Sequence, residues 1–407
     1  MNRSALAAVA GAFIFWTAFP VSPAGAATET VVYSFCSQIK RGHCRDGAAP
    51  NGDLMEANGT LYGTTGGGGA CRRSSGTVFA LDPKTGKLTT LHSFCDPATT
   101  GDGADPASAL ILTSGTLYGT TEGGGIYGKS KAGNGTVFSL DPATLSETVL
   151  YRFQGGTDGG APRAGLIDVN GTLYGTTFWG GKKAGICTIG CGTVFSLDPD
   201  TGAEQVVYAF QDNLDGAGPN TTLVDVNGIL YGTTQANNGT VFSFDPATGA
   251  VTTVYTFHGN TDGSYVQGGM VGRKHTLYGT TAEGGTDGYG IVYAIDLRTG
   301  AETVLHSFGG VAVGDGRNPY GRLMIANGML YGTTQVGGSD SCGIDEGCGT
   351  VFSVDPSSGT ETVLHAFGSL PDGQWPDAGL IDVKGTLYGT TDLGGAHNEG
   401  TVFAITP

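Results

Sequence analysis

The chain has 407 residues, of which 74 are glycine; only 14% are charged, and the formal net charge is −16. So much glycine beside Thr, Val, Phe and Tyr excludes a helical bundle, a coiled coil and an ordinary α/β enzyme, and the absence of a three-residue glycine period excludes collagen. Regularly placed apolar residues argue against disorder, and the acidity argues against a nucleic-acid partner, which leaves an all-β protein rich in tight turns.

In chain order, residues 1–26 read as a signal peptide: Arg3, an apolar run from Ala5 to Phe19, and the small-residue site Ala24-Gly25-Ala26. The remainder, 27–407, is expected to be one exported domain, periplasmic or extracellular, with no transmembrane segment. Glu29 to Phe35 comes next, a strand-like piece whose relatives lie further along the chain. Then the string Leu-Tyr-Gly-Thr-Thr occurs seven times, with its tyrosines at 62, 118, 174, 231, 278, 331 and 388. Each copy is followed by a Gly-Thr-Val-Phe-like string ending at Phe79, Phe138, Phe195, Phe242, Tyr293, Phe352 or Phe403. A Glu-Thr-Val-Leu-His-Ser-Phe-like string follows in six of them, ending at Phe94, Phe153, Phe210, Phe257, Phe308 and Phe367. Before each Leu-Tyr-Gly stands a short apolar segment and a turn, as in Leu166-Ile167-Asp168-Val169 with Asn170-Gly171.

Each repeat is thus four short strands in a meander, and seven such units predict a seven-bladed β-propeller. The last repeat lacks a fourth strand and the segment 29–35 supplies one. Closure is therefore expected by pairing the N-terminal strand with the C-terminal blade, which removes the open edges. The recurring Leu-Tyr-Gly-Thr-Thr, Gly-Gly and Gly-Thr-Val-Phe elements resemble the Gloeobacter–Verrucomicrobia (GloVer) tandem repeat of exported bacterial proteins, from Glu29 to Pro407. The resemblance implies no defined activity and no catalytic residues.

The spacings separate a uniform face from a variable one. The third-strand aromatic and the fourth-strand Phe are always 15 residues apart, and an Asp-Gly pair stands 16 residues before each Tyr, at Asp46, Asp102, Asp158, Asp215, Asp262, Asp315 and Asp372. Length varies only in the second-to-third-strand loops and the connections between blades. In a meander these share one side of the disc, where binding is expected. All eight cysteines fall there. Cys187–Cys191 and Cys342–Cys348 are expected as local disulfides, with Cys36–Cys44 and Cys71–Cys95 as the remaining set, although spacing leaves that second connectivity open.

Charge on the variable face is uneven. Blades one to three carry Lys40, Arg41, Arg45, Arg72, Arg73, Lys129, Lys131, Arg163, Lys182 and Lys183, whereas the loops of blades four to seven read as carrying Arg317 alone among acids. Exposed aromatics join them: Tyr127, Phe178, Trp179, Tyr265, Tyr320 and Trp375. Residues present once per blade, the seven Tyr and the seven Asp, read as repeat architecture and turn formers. His92, His306 and His365 occupy a repeat position held by Tyr33, Tyr151, Tyr208 and Tyr255 in the other blades. No nucleophile elbow, zincin or Walker motif is present, and no catalytic residue, metal site or cofactor is expected. The function expected is a monomeric secreted scaffold that binds an acidic polysaccharide or an envelope or protein partner. Arg72, Arg73, Phe178, Trp179, Lys182 and Lys183 are its candidate ligand-binding residues. A polysaccharide lyase or hydrolase on the same face, and a purely structural surface protein, are the alternatives.

Overall fold

The computed structural model describes residues 27–407 other than 72–73, 96–100, 107, 126–132, 213–214, 340–341 and 343–345. The expected signal peptide, Arg72, Arg73 and Tyr127 lie outside the described residues. Among the described residues the strands form seven four-stranded antiparallel sheets, the blades of a propeller. Blade three is representative: Ile167–Val169, Thr172–Thr177, Thr193–Leu197 and Glu204–Ala209, hydrogen-bonded in sequence order. Blade seven takes three strands from the C-terminus, Ile381–Val383, Thr386–Thr391 and Thr401–Thr406, and its fourth, Thr28–Ser34, from the N-terminal side. That fourth strand runs antiparallel to Thr401–Thr406, from Thr28 opposite Thr406 to Ser34 opposite Thr401.

The repeated string is explained residue by residue. Its Leu is buried in every blade, for example Leu173. Its Gly is the seat of the third-strand aromatic: a Cβ on Gly175 would lie 2.6 Å from Phe195 Cζ and 3.0 Å from Leu166 Cδ2. Only glycine lets the ring lie flat on the second strand. The last Thr hydrogen-bonds the first residue of the third strand, Thr177 Oγ1 to Thr193 Oγ1 at 2.7 Å, and the Thr before it reaches towards a neighbouring blade, as Thr120 Oγ1 does to the Ala164 carbonyl at 2.9 Å. Most of these buried hydroxyls are thereby satisfied, although Thr176 Oγ1 and Thr390 Oγ1 are buried without a partner.

Blades are stitched by aromatic pairs. Each fourth-strand Phe meets the third-strand ring of the next blade edge-on, from Phe35–Phe79 at 5.2 Å round to Phe367–Phe403 at 5.1 Å. Edge-to-face contact suits two ring quadrupoles and fills the wedge between twisted sheets. A register shift between third and fourth strands recurs at the same place, as between Val194 and Phe195, and adds local twist.

Candidate functional site

The Asp of each Asp-Gly pair does more than form a turn. In six blades its carboxylate accepts the backbone N–H that follows the fourth-strand Phe, as Asp158 does from Gln154 at 2.6 Å and Asp315 from Gly309 at 2.8 Å, while Asp46 accepts from Ser37, two residues after Phe35. It also faces the fourth-strand Tyr or His. Tyr33 donates to Asp46 at 2.7 Å, Tyr151 to Asp158 at 2.7 Å, and Tyr208 to Asp215, while His306 Nε2 lies 3.0 Å from Asp315. Tyr and His interchange at this position because each directs a polar side-chain atom to the same carboxylate.

Two depressions bear on the site. The first is a groove of about 450 Å³ across blades three, four and five. It exists because the blade-four loop is only Gln235-Ala236-Asn237-Asn238, while the loop of blade three is long and folded into a wall. The Cys187–Cys191 disulfide, the Cys191 N–H to Lys182 carbonyl bond and the Ile186 N–H to Asp212 carboxylate bond shape that wall. Asp212, 3% exposed, also accepts from Asn237 Nδ2 at 2.9 Å and so fixes wall to floor. Trp179, Ile186 and Ile189 form one side, the blade-four amides the floor, and Ser264, Tyr265 and Glu283 the other side. Ile186 and Ile189 are 65% and 60% exposed, an apolar surface too large to be incidental. The indole of Trp179 lies over Gly155 and Gly160, where a side chain on Gly160 would strike the ring at 2.4 Å. Phe178 packs against Gly218 on one face and under the Arg163 guanidinium, 3.9 Å from its centroid, on the other.

The second depression is an axial cavity of about 120 Å³ with a polar lining. Its rim is built from the residue that follows the conserved-length turn in each repeat: Asn51, Arg163, Asn220, Gln267, Tyr320 and Asp377 among the described residues. The sequence singled out Arg163 for its charge and Tyr320 for its ring, but not the ring of residues to which they belong. The position after Asp-Gly-x-x-Pro is Asn51, Arg163, Asn220, Tyr320 and Asp377 in blades one, three, four, six and seven, and Gln267 follows Val266 in blade five, so the chemistry of this position varies around the ring. Asp377 accepts from Gln335 Nε2 at 3.3 Å, its other oxygen is buried without a partner, and burial followed by the nearby Asp392 carboxylate pushes its carboxyl up to about 7. Burial and neighbouring acids also raise Asp105 and Asp392. Trp375 and Tyr265, each two residues before a residue of this rim, have φ of 58° and 59°, a left-handed conformation that bulky residues rarely adopt.

The expected ligand-binding residues divide. Phe178 and Trp179 line the groove; Lys182 and Lys183 stand exposed on its wall loop but do not line it. Arg163 is paired with Glu122 at 2.8 Å. Lys40, Arg41, His43 and Arg45 gather around a separate cavity of about 590 Å³, and Arg45 shares a neighbouring pocket with Thr90–Ser93 on the outer strand of blade one. The reading of Arg317 as alone among the loops of blades four to seven needs correction, because Arg322 also lies in an inter-blade connection and lines the axial cavity, 3.8 Å from Asp53. Its place just before a strand hid it among the repeat residues.

All eight cysteines are paired, as Cys36–Cys44, Cys71–Cys95, Cys187–Cys191 and Cys342–Cys348, which matches an oxidising compartment. No helix among the described residues is long and apolar enough to cross a membrane.

Among solved structures, the chain is similar to an oligogalacturonate lyase from Vibrio parahaemolyticus, with a TM-score of 0.56 at 11% identity over 95% of each chain. An oligogalacturonate lyase in complex with manganese gives 0.52 at 13% identity over 93% of this chain and 96% of that one. A computationally designed protein gives 0.50 at 15% identity over 93% and 99%. At these identities the likeness is one of fold. No curated protein matches the chain. The sequence profile of the Gloeobacter/Verrucomicrobia repeat matches residues 11–189, 127–344 and 235–407, and together with the seven repeated blades it shows that the chain belongs to that repeat family.

Proposed function

We propose that this protein is a carbohydrate-binding propeller whose ligand lies in the groove of blades three to five. One observation carries the reading: an exposed apolar wall with Trp179 and Tyr265 faces a floor of side-chain amides, Gln235, Asn237 and Asn238. Sugar rings offer apolar faces to aromatic rings and hydroxyl edges to amides, and a groove of this size buries a short run of them. The groove lining contains Glu283 and no basic residue, so hydroxyl-rich faces of the sugar occupy it. Acidic groups of an acidic polysaccharide fall instead to Lys182 and Lys183 on the wall loop, with Arg72 and Arg73 as a second grip.

The experiment is a binding titration against matched neutral and acidic polysaccharides, followed by tryptophan fluorescence. Trp179→Ala and Tyr265→Ala are expected to weaken binding at least tenfold. For an acidic ligand, raised salt and the combined change of Arg72, Arg73, Lys182 and Lys183 to Ala weaken it as well, because exposed charge contacts are screened. Binding of both polysaccharides that ignores the two aromatic changes would overturn the groove as the site.

One observation favours a second reading, a lyase or hydrolase. Asp377, titrating near neutral pH, shares the axial cavity with Tyr320, Arg163 and Arg322, a set able to move a proton and hold an anion. Product analysis of any bound polysaccharide, with Asp377→Asn as the control, separates this from binding alone.

A further inference from the structure

Away from these two depressions, three blade interfaces repeat one arrangement of metal-ligating groups. They are His92, Asp102 and Glu147 between blades one and two, His306, Asp315 and Glu361 between five and six, and His365, Asp372 and Glu29 between six and seven. In each set one nitrogen and two carboxylate oxygens lie within 4.8 Å of one another. We propose that these are three equivalent divalent-cation sites, suited to zinc, each clamping one blade to the next.

Four features support this. Histidine Nε2 and the Asp oxygen are 3.4, 3.0 and 3.2 Å apart in the three sets. Two ligands at about 2.0–2.2 Å from a tetrahedral zinc are separated by roughly 3.3 Å, so the pair is nearly in place and only the Glu must close in. One oxygen of each Glu, in Glu29, Glu147 and Glu361, is buried with no hydrogen-bond partner. A buried acceptor without a donor is costly, and a cation relieves it. The two carboxylates of each set lie within 4.8 Å of one another, and a divalent ion would cancel the repulsion between them. Finally, the side chains are near the surface, with His and Asp 12–21% exposed, so an ion can enter and keep a water as fourth ligand.

The other blades supply a built-in comparison. Every histidine at this position faces a Glu on the next blade. Where tyrosine holds the position, its hydroxyl donates to the Asp directly; there the Glu position is Leu88, Glu204, Val251 or Glu302, and the two glutamates also keep a buried oxygen without a partner, so it is the histidine nitrogen that sets the three sets apart. Tyrosine offers no neutral nitrogen ligand, so the His-bearing interfaces alone combine three donors. Arg152 stands near Glu147, although its guanidinium donates to the Gly101 carbonyl at 2.9 Å, which makes the site between blades one and two the weakest of the three.

The test uses the exported protein after chelation. Zinc chloride is titrated with a competing indicator, metal is counted by elemental analysis after desalting, and melting is followed with and without zinc. Wild type is expected to retain about three equivalents, the number of such sets, and to melt higher with zinc. The triple change His92→Tyr, His306→Tyr and His365→Tyr installs the residue already used in the other blades, and so gives each Asp a hydroxyl donor and keeps the fold. It is expected to retain none and to lose the zinc-dependent shift, while the surface histidines His43, His258, His275 and His397 remain as controls. Glu29→Gln with Glu147→Gln and Glu361→Gln should weaken uptake at least tenfold. Retention of less than one equivalent by wild type, or uptake unchanged in the folded tyrosine variant, overturns the proposal.

Discussion

Replacing Phe35 by alanine probes the closure of the ring. Phe35 is fully buried at the end of the N-terminal strand, 5.2 Å from Phe79 of blade one and 5.3 Å from Tyr33, in one cluster with Leu54, Leu61, Leu81, Leu88 and Val402. The cluster joins blade seven to blade one, which are held together by no continuous peptide through the fourth strand of blade seven except the segment that carries Phe35. Removing a fully buried phenylalanine costs about 3–5 kcal/mol, through lost transfer energy and the cavity left behind. With an unfolding entropy of about 2 cal/mol/K per residue, that loss lowers the melting temperature of a domain of this length by roughly 5 °C. The control is Phe94→Ala, which empties the same fully buried seat against Phe138 at an interface that needs no closing strand. Differential scanning calorimetry is expected to show losses of similar size for the two variants. Deletion of residues 28–34 goes further, because it leaves the edge of Thr401–Thr406 unpaired, and light scattering should then report aggregation on heating. If Phe35→Ala melts with wild type while Phe94→Ala shows the full loss, the N-terminal strand does not close the ring and the reasoning fails.

Gly175→Ala places a methyl group against Phe195 and Leu166, and is expected to cost about 1–3 kcal/mol in urea unfolding; an unchanged midpoint would mean the ring is not seated on that glycine. Glu204 is held up to about 7 by burial and then by the Asp158 carboxylate beside it. Its folded value lies above its unfolded one, so the native state binds the proton more tightly; the stability this group contributes is fully present below about pH 4.5, is lost as pH rises through about 7 and is level above that. Glu204→Gln should remove about 1 kcal/mol of that fall, after allowance for its partial exposure to water, and a pH–stability curve that keeps the wild-type slope would contradict it. Converting Cys187 and Cys191 to Ser opens a loop with a separation of 4 residues, and converting Cys71 and Cys95 opens one of 24. Loop-closure entropy gives about 2 and about 3.5 kcal/mol, so calorimetry should rank the second pair as the more destabilising.

Blade number, strand order and the displaced fourth strand were legible in the sequence because a blade is a local meander whose register is written into every copy. Seven repetitions of Leu-Tyr-Gly-Thr-Thr average away the ambiguity of any single strand. Loop-length variation likewise marked the variable face, and Phe178 and Trp179 stood out as aromatics beyond the repeat. What the sequence could not order was anything fixed by the angle between blades. The groove depends on a short loop in blade four lying between a stapled loop in blade three and Tyr265 of blade five, a juxtaposition across about 90 residues of chain with no trace in local spacing. The axial ring unites residues some 50 positions apart in successive repeats, and it becomes one surface only when the sheets close about an axis. The Asp of Asp-Gly read as a turn former because its partner, Tyr or His on the preceding strand, is chosen by the bulge and twist at the blade edge. The glutamate that meets that pair belongs to the next blade altogether. Local propensity and periodicity thus determined the blades, while the packing of one twisted sheet on another decided which polar groups were buried together.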